Sequence, residues 1–481
     1  MNEEETIKAA GVDEAAADAN ISQEVPFKDY FMVSLTSGLG YGFDAYAVNI
    51  YGLVLPAIAA SLGASASLMG FIGSIQLTGY MLGTIIFGVA ADKFGRKDTL
   101  GASILLYGVT TTLGGLSHNI PFFAAMRFLT GLGGAGELAV GAPYTAEMWP
   151  AKFRAIGTGG IIFSLYSLGY ITAGLGALYI LPRFGWEWAF IIAIVPAIGV
   201  FAMRLLLQES VRYVIQRTDN KVAAAKALAE AEHGDNARDR VKAIDEIARQ
   251  GGNVDEKLWH VPGLTGPGEK MWDIPGVKKR IGIGWLLYTA NAVGYWSLSV
   301  FLTTVLINQY GLSPSRAIVY AIGFYVVQFF FSFLGTGLAD WLGRRPIGIL
   351  GAVIMMIVTV FAATAEELNQ FMIWGALMIA MLGWLWAVGD TYIAELFPTR
   401  IRGSAFGISI GGGRAVAIFA PFLVGTGIDT FGGATIPFLI TAGLWVMTII
   451  GYAIGPETAG KELEEIEAEM VRAEAEMVRA G

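Results

Sequence analysis

The chain has 481 residues, of which 54% are hydrophobic and only 15% are charged, and its mean hydropathy is +0.56. These values exclude an ordinary water-soluble domain and indicate a membrane protein. The net charge of −8 comes from acidic residues at the two ends of the sequence, so it predicts no nucleic-acid partner. There is no cysteine, and the three histidines lack ligand spacing, so we predict no metal site and no cofactor.

Apolar segments long enough to cross a bilayer as helices recur along the chain. Twelve are predicted, at about 31–60, 67–91, 98–117, 120–148, 156–181, 187–207, 281–309, 315–339, 346–364, 370–397, 403–427 and 434–454. The predicted fold is an all-α membrane protein with twelve transmembrane helices in two six-helix bundles. Its parts are an acidic tail (1–29), a first bundle (30–207), a central loop with short helices (208–280), a second bundle (281–455) and a second tail (456–481).

The Lys and Arg residues of the short loops predict the orientation of the chain. The loops after helices 2, 4, 8 and 10 contain nine of them, whereas the opposite loops contain only Arg183 and Arg316. We therefore expect a multi-pass protein of the cell membrane with both termini and the central loop in the cytoplasm. The first 29 residues are acidic and lack an apolar core, so no signal peptide is expected.

Two charged stretches of the first half recur in the second half at one offset. GVAADKFGRK and AEMWPAKFRAIG correspond to GLADWLGRRP and AELFPTRIRG, and Asp92 and Asp340 are 248 residues apart (340 − 92). The same offset separates Arg96 from Arg344, Glu147 from Glu395, Pro150 from Pro398 and Arg154 from Arg402. In a membrane chain, a parallel repeat of two six-helix halves is typical of secondary transporters whose substrate site lies between the halves at mid-membrane.

From about residue 30 to 467 the chain resembles the major facilitator superfamily, in its sugar-porter and metabolite:proton symporter branch. The resemblance is carried by the repeated charged stretches, by RFLTGLGGAGE in helix 4, and by QESVRYVIQR and PETAGKELEEIE after helices 6 and 12. The last two are similar to the family's PESPR and PETKG signatures. The resemblance implies alternating-access transport of a small solute. The expected partners are that solute, protons and the lipid bilayer, and we expect a monomer. The resemblance also implies that charge clusters on the cytoplasmic side hold the outward-open state closed on the inside.

Charged residues at cytoplasmic helix ends are the candidates for that inner gate. Partly exposed pairs between such charges and helix termini contribute about 1 kcal/mol each. A network of pairs that breaks and re-forms suits a gate between two states of similar energy. The alternative is that these residues only set the topology. The candidates are Asp92, Arg96, Glu147, Arg154, Asp340, Arg344, Glu395 and Arg402.

Ionisable residues inside the membrane are candidates for proton coupling, because a buried charge is costly there. Asp44 is about 14 residues, or roughly 20 Å, into helix 1 and therefore near the midplane. Its context, YGFDAYAVNIYGLVLPAI, resembles helix 1 of organic-anion and phosphate symporters, although those commonly carry a second acid where this chain has Ala47. Glu137 closes the Gly-rich stretch of helix 4, and for both acids the alternative role is a fixed ion pair or a hydrogen-bonded cap. Arg127 either takes part in proton movement, as the resemblance implies, or extends to the outer interface.

Arg414 lies deep in helix 11 without a basic neighbour, so it needs a partner. That partner is either Asp390 on helix 10 or an anionic substrate held by two of the guanidinium nitrogens. Aromatic and amide side chains are predicted to line the cavity, although packing between helices is the commoner role of a single aromatic. The candidates are Asn291, Tyr288, Tyr295, Trp296, Gln76, Gln328, Tyr166 and Trp384.

The favoured function is proton-coupled symport of a small organic anion or a related metabolite. The first alternative is a sugar or polyol transporter, either a symporter or a facilitator, which the PESPR-like and PETKG-like segments also fit. Arg414 favours the anion, since a neutral sugar needs no buried cation. A transporter-like nutrient receptor is a second alternative, from another class of protein. An enzyme is not expected, because no nucleophile–base pair is present.

Overall fold

The structure, a computed structural model, describes residues 27–64, 66–210, 213, 271–274, 276–299, 302–420, 434–461, 463 and 466. The short helices predicted in the central loop lie outside these residues, and so do most of both tails and the end of the segment predicted at 403–427. The described part of the chain is built from helices.

The first half contains six long helical segments, which match the first six predicted segments. They are α1 (Phe27–Leu62), α2 (Ala66–Phe94), α3 (Arg96–Gly115), α4 (Ile120–Met148), α5 (Ile156–Tyr179) and α6 (Trp186–Leu205). The first five residues of α5, Ile156–Gly160, form a π turn. Between α5 and α6 lies a single helical turn, Leu181–Phe184.

The second half repeats this order. Its helices are α7 (Val277–Gly294), α8 (Pro314–Leu342), α9 (Arg344–Ala363), α10 (Leu368–Glu395), α11 (Arg402–Ala417) and α12 (Thr435–Ile454). After α7 the chain forms a π turn, Tyr295–Ser299, and then a further short helix, Leu302–Asn308. Breaks of this kind inside a long helix are frequent at functional sites.

Seven of the described helices, namely α2, α5, α6, α8, α9, α10 and α12, are long and apolar enough by themselves to cross a bilayer. The others include α1, α4, α7 and α11. These four carry glycines and the intramembrane polar residues Asp44, Arg127, Asn291 and Arg414. They therefore bring polar and charged side chains into the interior of the bundle.

The two halves meet along α2 with α11 and along α5 with α8. Glycine makes the first contact close: a Cβ on Gly88 of α2 would collide with the Gly403 carbonyl and would lie 3.3 Å from the Gly407 Cα on α11. In the same way, Gly159 of α5 faces the carbonyl of Ala387 on α10. Small residues thus let helix backbones of the two halves approach each other directly.

Two tight turns place the first charged residues of the repeat. Gly95 joins α2 to α3 with φ 103°, and Gly343 joins α8 to α9 with φ 110°. Such positive φ angles favour glycine, which has no Cβ. Each turn lets the next helix begin at an arginine, Arg96 in α3 and Arg344 in α9. The glycine in each charged stretch therefore fixes where its arginine lies.

Candidate functional site

All eight predicted gate residues lie at one end of the bundle, which we call the charged face. One cluster of ion pairs on this face forms around Glu147 of the first half. Arg96 donates to Glu147 from Nη2 at 2.9 Å and from Nε at 3.2 Å, and Arg402 of the second half donates from Nη1 at 3.0 Å. The three side chains are 2% exposed or less, so these are buried rather than partly exposed ion pairs. Burial removes water that would otherwise compete for these charges.

A second cluster of ion pairs forms around Glu395 and repeats the arrangement. Arg344 of its own half donates to it from Nη2 at 2.9 Å and from Nε at 3.2 Å. Arg154 of the first half lies 3.5 Å away, measured from Nη1 to Oε1. Each glutamate is thus bound by one arginine of its own half and one of the other. The charged face therefore holds the two halves together.

The two aspartates bind helix N-termini across the same boundary. Asp92 of α2 accepts hydrogen bonds from the backbone N–H groups of Gly403 at 3.1 Å and Ser404 at 2.6 Å, at the start of α11. Asp340 of α8 accepts from the N–H groups of Ala155 and Ile156, both at 3.0 Å, at the start of α5. The first N–H groups of a helix have no partner within it and favour a negative charge.

Sequence reasoning missed part of this network, in the QES and PET segments. Glu209 accepts from the N–H groups of Arg96 at 2.9 Å and Lys97 at 3.2 Å, and burial raises the pKa of its carboxyl. Glu457 binds the N–H groups at the start of α9 in the same way, at 2.8 and 3.1 Å. The hydroxyls of Ser210 and Thr458 donate to the two central glutamates. The signal was present, because Glu209 and Glu457 are also separated by the repeat offset.

Asp44 lies in the middle of the molecule, on α1, and is 1% exposed. It accepts a hydrogen bond from the hydroxyl of Tyr80 on α2. Gly134 of α4 packs against this pair, and a Cβ at that position would collide with the carboxylate and lie 2.8 Å from the Tyr80 hydroxyl. Asp44 therefore has a neutral hydrogen-bond donor rather than a bound cation as its direct partner.

Glu137 forms a buried ion pair, which is the alternative role considered for it. Arg204 at the end of α6 donates to both of its carboxylate oxygens, from Nη1 at 2.9 Å and from Nη2. Ser103 of α3 donates to it at 3.1 Å. Sequence reasoning missed Arg204, although a basic residue inside a predicted span was the available signal. Because its oxygens are taken by Arg204 and Ser103, Glu137 is a weaker candidate for proton coupling than Asp44.

Arg127 does not extend to the outer interface, so that alternative was wrong. Its side chain is fully buried in the first half. Nη2 donates to the Gln76 side-chain oxygen at 2.6 Å and to the Ala47 carbonyl at 3.1 Å, and the guanidinium lies 4.8 Å from the centroid of the Tyr51 ring. Gln76 therefore orients Arg127, and in the described residues no acid pairs with this guanidinium.

Asp390, one of the two partners considered for Arg414, forms no ion pair with it in the described residues, so that alternative was wrong. In the described part of the chain, Arg414 makes no ion pair, and its Nη1 is buried without a hydrogen-bond partner. The Oδ1 atom of Asp390 is in the same condition. The guanidinium carbon of Arg414 instead lies 4.8 Å from the centroid of the Tyr80 ring and 5.5 Å from that of Tyr288. A deep cation thus has aromatic faces on its flanks and a free nitrogen.

The aromatic candidates of α5 and α7 meet beside Arg414. The hydroxyls of Tyr166 and Tyr295 are 2.9 Å apart, and Tyr295 also reaches the Asn49 side-chain oxygen at 3.3 Å. Trp386 of α10 packs edge-on against Tyr288 and Tyr295, with ring centroids 5.6 and 5.4 Å apart. These contacts join α1, α5, α7 and α10 around one aromatic centre.

The remaining candidates divide into two groups. The side-chain oxygen of Asn291 and both polar atoms of Gln328 are buried without a hydrogen-bond partner in the described residues, so they are free to bind a polar solute or water. Trp296 is half-buried and packs on Tyr295. Trp384, by contrast, lies against Gly335 and Gly351, between α8, α9 and α10. Its predicted place in the cavity lining was wrong, and Trp386, two residues along the helix, occupies that place.

Comparison with known proteins agrees with this architecture. The family described as Sugar (and other) transporter matches residues 30–470. The niacin transporter NiaP of Acinetobacter baylyi is 27% identical over 445 residues, which cover 91% of this chain and 97% of that one. The benzoate transport protein of the same species is 26% identical over 413 residues, 84% of each chain.

Among solved structures, the proton:xylose symporter XylE, of the major facilitator superfamily, superimposes with a TM-score of 0.71 at 20% identity. The match covers 92% of this chain and 99% of that one. At this identity the likeness speaks for the fold alone. It confirms the predicted all-α membrane fold of twelve helices in two six-helix bundles.

Proposed function

The chain belongs to the family of sugar and other transporters, and we propose that it carries a small organic anion together with protons across the membrane by alternating access. It is a multi-pass membrane protein and a transporter, not an enzyme. The proposal concerns the solute, the coupling to protons and the residues responsible for each.

The observation that carries the proposal is the free face of Arg414. A guanidinium this deep in a membrane protein is costly unless an anion compensates it. Asp390 does not do so by direct contact, and Nη1 has no partner among the described residues. A carboxylate offers two oxygens with the geometry that a guanidinium binds best. The rings of Tyr80 and Tyr288 flank the same cation. A flat, singly charged carboxylate, such as benzoate, suits this mixture of charge and aromatic surface.

Asp44 is the proposed coupling acid. It is buried near the middle of α1, and among the described residues no cation forms an ion pair with it, so its charge can be neutralised by a proton without breaking an ion pair. Glu137 lacks this freedom because Arg204 binds both of its oxygens. In this proposal Arg127, oriented by Gln76, contributes positive charge on the first-half side of Asp44.

The charged face is the proposed inner gate, and we place it on the cytoplasmic side. Two features support a gate rather than topology alone. Both central glutamates bind an arginine of the opposite half. Both aspartates bind an opposite helix N-terminus. Because these contacts cross the boundary between the halves, opening that side must break all of them.

A sugar or polyol is the second candidate solute. The family's description names sugars. The side-chain oxygen of Asn291 and the amide of Gln328, which have no hydrogen-bond partner in the described residues, could bind hydroxyl groups. A sugar would, however, leave the charge of Arg414 uncompensated. Transport of an uncharged sugar with no inhibition by carboxylates would therefore replace the anion by this alternative.

Uptake into proteoliposomes tests the proposal. Niacin, benzoate and glucose are offered outside at lower pH than inside, and accumulation of an organic anion that a protonophore abolishes is expected. The variant Asp44→Asn tests the coupling acid. It should abolish this accumulation but keep solute exchange, because it removes the carboxyl group that takes up the proton and leaves the solute site unchanged. Asp98→Asn, the same change at an exposed position of α3, is the control. Acid-driven accumulation by Asp44→Asn at the wild-type rate would exclude Asp44 as the coupling acid. Binding without any flux would instead favour a nutrient receptor.

A further inference from the structure

Tyr80 lies between a carboxylate of one half and a guanidinium of the other. Its hydroxyl donates to Asp44, and its ring faces the Arg414 guanidinium at 4.8 Å. The side chain is 5% exposed, so water does not separate these groups. One residue therefore contacts both the proposed coupling acid and the proposed substrate-binding cation.

Other charged and phenolic groups also face Asp44 and set the background for any effect of pH. Arg127 and Glu137 of α4 act on it from within the first half, and Arg414 acts from α11. The phenols of Tyr41, Tyr107 and Tyr288 lie within electrostatic reach on α1, α3 and α7. Of all these groups, Tyr80 alone both hydrogen-bonds Asp44 and contacts Arg414 in the described part of the chain.

We propose that Tyr80 is a positioning residue that links protonation of Asp44 to anion binding at Arg414. The inference rests on the proposed function and adds a physical connection between its two sites. With Asp44 ionised, the phenol donates its proton toward a negative charge, which makes the ring richer in electrons. A richer ring attracts a cation on its face more strongly, so Arg414 is held on Tyr80.

Protonation of Asp44 weakens this chain of interactions. The carboxyl loses its charge, the phenol is polarised less, and Arg414 keeps a weaker hold on the ring. Its guanidinium is then free to turn toward an incoming carboxylate. Binding of a proton thus strengthens binding of the anion, and by linkage the anion must strengthen binding of the proton. This is the sign that symport requires.

Gly134 makes the arrangement possible. A Cβ there would collide with the Asp44 carboxylate and crowd the Tyr80 hydroxyl. Its absence lets α4 support the pair from behind, so the phenol and the carboxylate stay aligned. The glycine belongs to the Gly-rich stretch that the sequence places just before Glu137.

The test uses Tyr80→Phe, which keeps the ring and removes the hydroxyl. Tyr46→Phe is the matched control, since it removes a hydroxyl that donates to a backbone carbonyl, that of Ala189 at 2.6 Å, instead of to Asp44. The affinity of the detergent-purified proteins for benzoate is measured between about pH 6 and pH 9, where a carboxylate probe stays ionised. The wild type and Tyr46→Phe should lose affinity on the order of 5- to 150-fold as the pH rises. Tyr80→Phe should change by less than about threefold, a small part of such a coupling.

A second pair of proteins distinguishes loss of the coupling between Asp44 and Arg414 from a general disturbance of the structure. In an Asp44→Asn background the link is already broken, so adding Tyr80→Phe should alter benzoate affinity by less than about twofold, because the two changes act through one interaction. A wild-type pH dependence in Tyr80→Phe, or a large additional loss in the Asp44→Asn background, would overturn the role of Tyr80 alone. Absence of any pH dependence and of uptake in the wild type would overturn the proposed function, and this inference with it.

Discussion

The charged face and the aromatic centre of this molecule differ in whether their buried charged residues have partners within the protein. At the charged face, every one of the eight gate residues has a partner of opposite charge or a helix N-terminus. In the centre, Arg414 and Asp390 are buried with polar atoms that lack a partner in the described residues. The charges of the first region are compensated within the protein, without a solute. The second is incomplete without one.

The internal repeat marks the same difference. The gate pairs recur at the offset of 248 residues, from Asp92 to Asp340 and from Glu147 to Glu395. The central residues do not: the position matching Asp44 is Ala292, and the one matching Arg414 is Tyr166. A gate that closes two similar halves benefits from symmetry. A site that binds a solute with one charged end requires that the halves differ.

Replacement of Arg414 should have the largest effect, because it attacks the incomplete region. Arg414→Lys keeps the charge but loses the planar, two-pronged contact, so benzoate binding should fall by about 2–5 kcal/mol. That corresponds to roughly 30- to 5,000-fold in Kd, measured by titration of the purified protein. Arg316→Lys, at an exposed position, is the control.

A double variant tests whether Asp390 is nevertheless the structural ion-pair partner of Arg414. Because the two form no ion pair, Asp390→Asn combined with Arg414→Gln should not recover transport. Recovery of folding and transport in this double variant would make Arg414 a structural residue. The two regions would then no longer differ in the way described.

Arg402→Ala tests the charged face. It removes the contact between Arg402 and Glu147 across the halves but leaves the 2.9 Å contact between Glu147 and Arg96. Breaking a buried pair costs about 3 kcal/mol, so the charged face should open more often and transport should slow. Substrate affinity should change by no more than a few-fold, on the order of 1 kcal/mol.

Distances between spin labels at Phe94 and Leu342, the exposed last residues of α2 and α8, report this opening. Arg154→Ala, which removes the longer 3.5 Å contact of the second cluster, should produce a smaller widening. Unchanged distance distributions in both variants would leave topology as the better account of these charges.

The smallest expected effect concerns the two matching aspartates of the charged face, and it tests whether the two halves contribute equally to the gate. Asp92→Asn and Asp340→Asn each keep an oxygen that can accept from a helix N-terminus but lose its charge. Each also loses an ion pair, with Arg96 or Arg344, but that arginine keeps its glutamate partner, so the expected cost is about 1 kcal/mol. Because the two sites match, the two variants should lower the thermal stability of the purified protein by similar amounts. A large difference between them would show that the halves carry the gate unequally.

Much of the fold could be predicted because its signals are local or repeated. Twelve apolar stretches predicted the helices, and one offset between Asp92 and Asp340 predicted two matching halves. The contacts of Glu209 and Glu457 were within reach of the same offset but were missed.

The central site was predicted less well because it depends on how far each helix is rotated about its axis. Hydropathy does not determine whether Trp384 or Trp386 faces the centre when both flanks of α10 are buried. Nor does it determine whether Arg414 meets Asp390 or an aromatic ring. Arg204 was overlooked because its partner, Glu137, is on a different helix and 67 positions away.

The glycine contacts between α2 and α11 bear on how fast the halves can move. Gly88, Gly403 and Gly407 bring backbone against backbone at these three positions. The three glycines have no side chains of their own to interlock, so we expect these contacts to add little to the activation barrier for rotation of one half against the other. The rate of opening is then governed by the buried charges at the end of the bundle, and bulky substitutions at these glycines should act on kinetics before they act on affinity.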